Sequence, residues 1–203
     1  MEDFNMTLLR PDVEDKRKIH AEITQISNQR FLMMTVAITI FGITITLLLP
    51  KTTPVQGTPV GPLIFFVSTT LVILLFVLYV VSHLLKCSQR VYTTYLIVTK
   101  ASNFETDWKR YREERKKSYF MYTKPQTIVF IFLNIFTTIF PVVLAMSYSL
   151  AIEPVLGLII CLIVGVVTCL LMYLMGYQKL WDLEAGIEKN WTELNKKMQK
   201  TEV

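Results

Sequence analysis

Charge is absent from four long stretches of this chain. Phe31–Leu49, Leu63–Leu85, Ile128–Leu150 and Val155–Met175 hold no Asp, Glu, Lys or Arg. A large soluble core would need a polar surface along such runs, and none is present within them. The lack of an intramembrane carboxylate, lysine or arginine also argues against a proton- or sodium-coupled transporter, which usually works through such groups. Histidine is scarce: His20 and His83 are too far apart in sequence to suggest a zinc site or a catalytic dyad. No nucleophile motif, glycine-rich phosphate loop or CxxC spacing is present, so neither an enzyme nor a cofactor or metal is expected. The three cysteines, Cys87, Cys161 and Cys169, lie in or at the end of apolar runs, and none falls where a structural disulfide is expected. Cys87, at a run's end, is open to acylation, although a reduced thiol is the simpler reading.

What is present is apolar length. Each uncharged stretch has about 20 residues, and a helix rising ~1.5 Å per residue crosses ~30 Å of hydrocarbon in about that number. Helices are required because lipid offers no partner to backbone N–H and C=O groups. The expected fold is an all-α integral membrane protein with four transmembrane helices in two hairpins. Pro50, Pro54, Pro59 and Pro62 bracket the first turnaround, Glu153-Pro154 marks the second, and Pro125 stands at the entry to the third span. The opening Met1-Glu2-Asp3 is acidic rather than basic, so the first span is expected to act as an internal signal-anchor.

The basic residues set an expected orientation. Lys and Arg number five before the first span, one in the first connection (Lys51), ten in the segment 86–126, none in the second connection and five after Gly176. This alternation predicts a cell-membrane protein (inner membrane if bacterial) with both chain ends in the cytoplasm. The sequons at Asn5 and Asn190 would then go unused. The resulting organisation is an N-terminal cytoplasmic helix (1–30), a first hairpin (31–85), a basic aromatic segment (86–126), a second hairpin (127–176) and a C-terminal helix (177–203).

The cytoplasmic parts also have helical periodicity. Pro11 followed by Asp12, Glu14 and Asp15 is a helix start, and no breaker separates it from Leu49, so one continuous helix is expected there. In the middle segment Phe104, Trp108, Tyr111, Arg115, Tyr119 and Tyr122 form a stripe on one helical face. The segment carries ten basic and four acidic residues, net +6. Trp108, Lys109, Arg110, Tyr111, Arg115, Lys116 and Lys117 are candidates for a ligand or partner surface. Three uses are open: packing on neighbouring helices, lying at an anionic membrane surface, or binding an anionic ligand by stacking and phosphate contact. Sequence-specific nucleic-acid binding is not expected. In the tail, Leu180, Glu184, Ile187, Trp191, Leu194 and Met198 follow a heptad seam, suited to packing within the chain or to self-association.

Within the spans, Thr35, Thr39, Gly42 and Thr46 share one face of the first. This stripe suits close helix packing or the wall of a polar pore. Gly157, Cys161, Gly165 and Cys169 make an every-fourth-residue stripe on the fourth span. Asn134 and Thr138 share a face of the third, near Pro141, where an interhelical hydrogen bond is a simpler role for Asn134 than ligand binding.

The charged helix Lys16-Arg17-Lys18-Ile19-His20-Ala21-Glu22-Ile23 running into a span, with a cytoplasmic helix between hairpins, resembles small multi-pass membrane effectors of prokaryotic antiviral systems. The resemblance covers most of the chain as architecture and implies growth arrest or membrane disruption during infection. The plan also resembles connexin-type large-pore channels, but the outer connections here lack the cysteines of those proteins, so that function is not carried over. The leading expectation is an oligomeric channel or membrane-permeabilising effector gated through its cytoplasmic helices. The alternative is a non-conducting anchor or sensor that recruits a soluble partner through the basic aromatic surface.

Overall fold

The computed structural model describes residues 11–49, 62–99, 125–147, 155–177 and 180–201, and these form five α-helices and no strand. The helices are α1 (Val13–Leu48), α2 (Pro62–Val98), α3 (Pro125–Ser147), α4 (Val155–Tyr177) and α5 (Leu180–Thr201). Helices α1 to α4 are long and apolar enough to cross a membrane. The protein is a multi-pass membrane protein by this criterion. Its outward surface agrees: Leu63, Phe66, Phe132, Val166 and Leu170 are exposed, as lipid-facing side chains are and as the surface of a soluble domain is not.

Local sequence explains where the helices start. The Asp12 carboxylate accepts a hydrogen bond from the Asp15 backbone N–H at 2.7 Å, capping α1. Glu14 and Asp15 in the first turn complement the helix dipole. With no Gly or Pro breaker before Gly42, α1 continues unbroken for 36 residues, about 54 Å at the usual rise. Proline opens α2 and α3 at the position where its missing N–H is harmless. The Glu14–Lys18 pair on α1 spans 3.0 Å, but both side chains are well exposed and contribute little to stability. All three cysteines are free thiols.

The chain divides into two compact units. The first, the membrane-capable unit, comprises the described parts of Phe31–His83 and Lys124–Gly176. Its core gathers Leu71, Leu75 and Tyr79 of α2, Phe130 and Leu133 of α3, Met172 of α4 and Ala37 of α1. Thr127 lies against Gly176, Asn134 against Thr168 and Thr138 against Gly165, so α3 and α4 run in opposite directions. Phe65 lies against Gly157 and Tyr79 against Met172, so α2 and α4 run in the same direction. Helix α1 is peripheral: 6% of its span is buried, against 50% for α3, and it meets α3 edge-on through Phe41 and Phe136.

The second unit comprises the described parts of Met1–Arg30, Leu84–Thr123 and Tyr177–Val203. Ile26 of α1 and Leu96 of α2 are buried in it. The Arg30 guanidinium donates to Gln89 Oε1 at 2.9 Å, joining α1 to α2. The Tyr95 and Trp191 rings meet at 4.9 Å, joining α2 to α5. Burial pushes the Tyr95 phenol above its ordinary pKa, and the Asp15 carboxylate adds to the rise. Tyr95 is therefore neutral across the physiological pH range. Replacement of Trp191 by alanine is expected to free α5 from α2. Amide exchange in α5 should accelerate at least tenfold while α3 and α4 keep their protection.

Candidate functional site

Two features of the membrane-capable unit invite a functional reading: a buried polar seam where α2, α3 and α4 meet, and an exposed hydroxyl stripe on α1. The seam is centred on Asn134, which is fully enclosed in the α3–α4 contact. Asn134 Nδ2 donates to Thr168 Oγ1 at 3.0 Å, and the Cys169 thiol approaches Asn134 Oδ1 at 3.4 Å. Thr138 returns its hydroxyl to the Asn134 carbonyl at 2.8 Å, and Thr168 does the same to Val164 at 2.8 Å. These bonds satisfy donors that hydrocarbon would leave unpaired.

Small residues on α4 make the seam possible. Gly165 abuts the Thr138 side chain so closely that any side chain at 165 would overlap it. Gly157 sits under the Phe65 ring, where an added Cβ would lie 3.2 Å from the Phe65 Cβ. Cys161 is buried beside the Thr138 carbonyl. The small stripe read from the sequence of α4 is thus occupied inside the chain.

A second polar group lies toward the other end of α3. Tyr79 Oη donates to the Met172 carbonyl at 3.0 Å and lies 3.4 Å from Thr127 Oγ1. Gln126 Nε2 donates to Ser82 Oγ. Leu75, Phe130 and Met172, all fully buried, are part of the apolar core that includes Tyr79. Sequence reasoning did not single out Tyr79, Ser82, Gln126, Thr127 or Thr168. A lone tyrosine, serine or threonine in an apolar run has no spacing partner within its own helix; its partner is on another helix. The seven-residue step from Thr127 to Asn134 on one α3 face was the available signal.

The α1 stripe is placed differently. Thr35, Thr39, Gly42 and Thr46 are all exposed, and a Cβ added at Gly42 would meet nothing within 4 Å. Thr35 and Thr46 return their hydroxyls to the Phe31 and Gly42 carbonyls at 3.1 and 2.8 Å. The six residues grouped in the sequence reading therefore fall into two sets: Asn134 and Thr138 inside the chain's own packing, and the α1 stripe on its outside.

The remaining candidates are distributed as follows. Trp108, Lys109, Arg110, Tyr111, Arg115, Lys116 and Lys117 lie outside the described residues. Of the heptad seam, Leu180 and Met198 belong to α5. Ile187 and Trp191 are half-buried and Leu194 is exposed. Trp191 is engaged by Tyr95 of its own chain. Among the described residues no group of three His, Cys, Asp or Glu gathers to hold a metal. His20 is on the exposed side of α1, and the His83 ring lies 6.0 Å from Tyr79. Comparison with known protein families, curated proteins and solved structures returns no match.

The Asn134–Thr168 bond can be weighed with a double-mutant cycle. Asn134→Ala and Thr168→Val are expected to couple by about 0.6–2 kcal/mol, the range for interhelical hydrogen bonds in membranes. The measurement is unfolding in mixed detergent, and additive effects would show that the bond contributes nothing beyond packing.

Proposed function

We propose that the protein is an oligomeric membrane channel or membrane-permeabilising effector. In this reading four spans form two hairpins with both chain ends in the cytoplasm, and the helical extensions beyond the spans gate the membrane part. The observation that supports it is the outward-facing threonine stripe on α1, the least buried of the four spans. Side-chain hydroxyls on a helix that its own protomer leaves uncovered are suited to a neighbouring protomer or a water-filled lumen. The uncharged spans fit a pore selective by size and hydration more than one working by charge-coupled transport. Growth arrest or membrane disruption during infection, which the layout's resemblance implies, is the setting proposed for such an activity.

The decisive experiment has two parts. Mass measurement of the detergent-solubilised protein should give a ring of four or more chains. Liposomes containing that ring should pass ions or small dyes. A monomer that leaves liposomes sealed would remove the channel reading. The alternative, a non-conducting anchor that recruits a cytosolic partner or anionic ligand, draws on the net +6 segment 86–126. It predicts that Trp108→Ala with Tyr111→Ala abolishes partner capture, and it fails if capture is unchanged.

A further inference from the structure

One buried hydroxyl of the membrane-capable unit has no hydrogen-bond partner among the described residues. Ser68 is fully enclosed, and its Oγ makes no hydrogen bond among the described residues. Hydroxyls in helices commonly return to the carbonyl four residues back, as Thr70 does to Phe66 and Thr137 does to Leu133. Ser68 does not, and an unpaired donor in an apolar interior is costly.

The contacts around Ser68 fix its level in the bundle. Across α2 and α3, Ser82 meets Gln126, and Tyr79 meets Thr127 and Phe130. These helices run oppositely, so the same number of residues from Tyr79 back to Ser68 leads from Phe130 on to Pro141. Across α2 and α4, which run in parallel, Phe65 meets Gly157 and Tyr79 meets Met172, which puts Ser68 level with Cys161. Across α3 and α4, the Cys161 thiol lies 4.0 Å from the Thr138 carbonyl. All three routes converge on one place, where Ser68, Cys161 and the stretch from Thr137 to Pro141 share a level.

Pro141 is itself fully buried inside α3. It has no N–H, so the Thr137 carbonyl four residues back loses its usual helical donor. The Thr137 hydroxyl is committed to Leu133 and gives that carbonyl no help. A donor without an acceptor and an acceptor without its helical donor therefore occur at the same level of three packed helices.

We propose that α2, α3 and α4 enclose a binding site for one water molecule, held by the Ser68 hydroxyl and the Thr137 carbonyl and bordered by the Cys161 thiol. Buried waters sit where two to four otherwise unsatisfied polar groups converge. Proline breaks in membrane helices are tolerated where water or hydroxyl groups satisfy the freed backbone. A water at this point gives α3 a place to bend within an otherwise dry contact. The inference stands independently of whether the protein conducts.

The full chain in lipid nanodiscs provides the test, with two readouts. The infrared S–H band of Cys161, isolated by subtracting the spectrum of Cys161→Ala, is followed after transfer to D2O. With water beside the thiol it exchanges to S–D under native conditions, and Ser68→Val, which removes the hydroxyl and fills the space, slows exchange at least tenfold. A band that stays S–H for days, or that exchanges equally fast in both proteins, overturns the proposal. Ser68→Ala supplies a second readout that survives if the valine variant folds poorly. Loss of a water-bridged hydroxyl lowers Tm, whereas loss of a merely orphaned one raises it. A raised Tm overturns the proposal.

Discussion

Gly165→Val is expected to abolish the folded membrane unit. The position faces Thr138 across the tightest approach of α3 and α4, and even a single Cβ there would lie 2.8 Å from the Thr138 Cβ and closer still to its hydroxyl and methyl groups. Thr138 cannot swing away freely, because its hydroxyl is bonded to the Asn134 carbonyl at 2.8 Å and its side chain is enclosed. Helix α3 would have to move off α4, and the Asn134–Thr168 and Cys169–Asn134 contacts would part with it. Overpacking a tight core costs about 1–3 kcal/mol where neighbours can adjust, and a branched side chain against this contact should reach or exceed the upper end. Detergent-solubilised Gly165→Val should elute as aggregate or lose its cooperative thermal transition. Gly165→Ala should be intermediate. Combining it with Thr138→Ala, which removes the hydroxyl and methyl it strikes, should recover part of the loss. Gly42→Ala is the control: that site opens on empty space, and the change should stay within about 1 kcal/mol. Equal damage at 42 and 165 would mean that the α3–α4 contact is not the site of the clash.

The second expectation concerns function. The triple replacement Thr35→Leu, Thr39→Leu and Thr46→Leu should leave the protomer folded and eliminate ion or dye flux, by a hundredfold or more. The three side chains are exposed, and the hydroxyls of Thr35 and Thr46 bond to carbonyls within α1. Leucine in their place meets lipid without disturbing the core. In an oligomer the same positions meet a neighbour or line a lumen, and leucine there removes hydroxyls that water would solvate. The two measurements are Tm, expected within a few degrees of the parent, and flux in liposomes at matched protein content. Thr39→Ser should retain flux because it keeps the hydroxyl. Full flux in the triple variant would eliminate the α1 stripe as the conducting surface.

The four apolar runs could be read from sequence because hydrocarbon imposes a length and a composition on any helix that crosses it, and both are properties of contiguous residues. The start of α1 was likewise legible: Pro11, Asp12, Glu14 and Asp15 act within one turn of each other. Side-chain partners across helices were a different matter. Thr138 and Thr39 are the same residue type in similar apolar surroundings, yet one is sealed against Gly165 and the other faces outward. The neighbours of each residue along its own helix do not decide this, since the difference lies in which helix packs alongside.

Lack of charge over some twenty residues at a time was therefore enough to establish apolar helices able to span a membrane. Tertiary structure decided what the uncharged spans do with their few polar groups. It turned Asn134, Thr138 and the α4 glycines inward, where close approach pairs them, and it left the α1 threonines outward. The physical reason is that apolar length is a property of one helix, whereas the satisfaction of a hydroxyl or amide in a membrane depends on a second helix arriving at the right level.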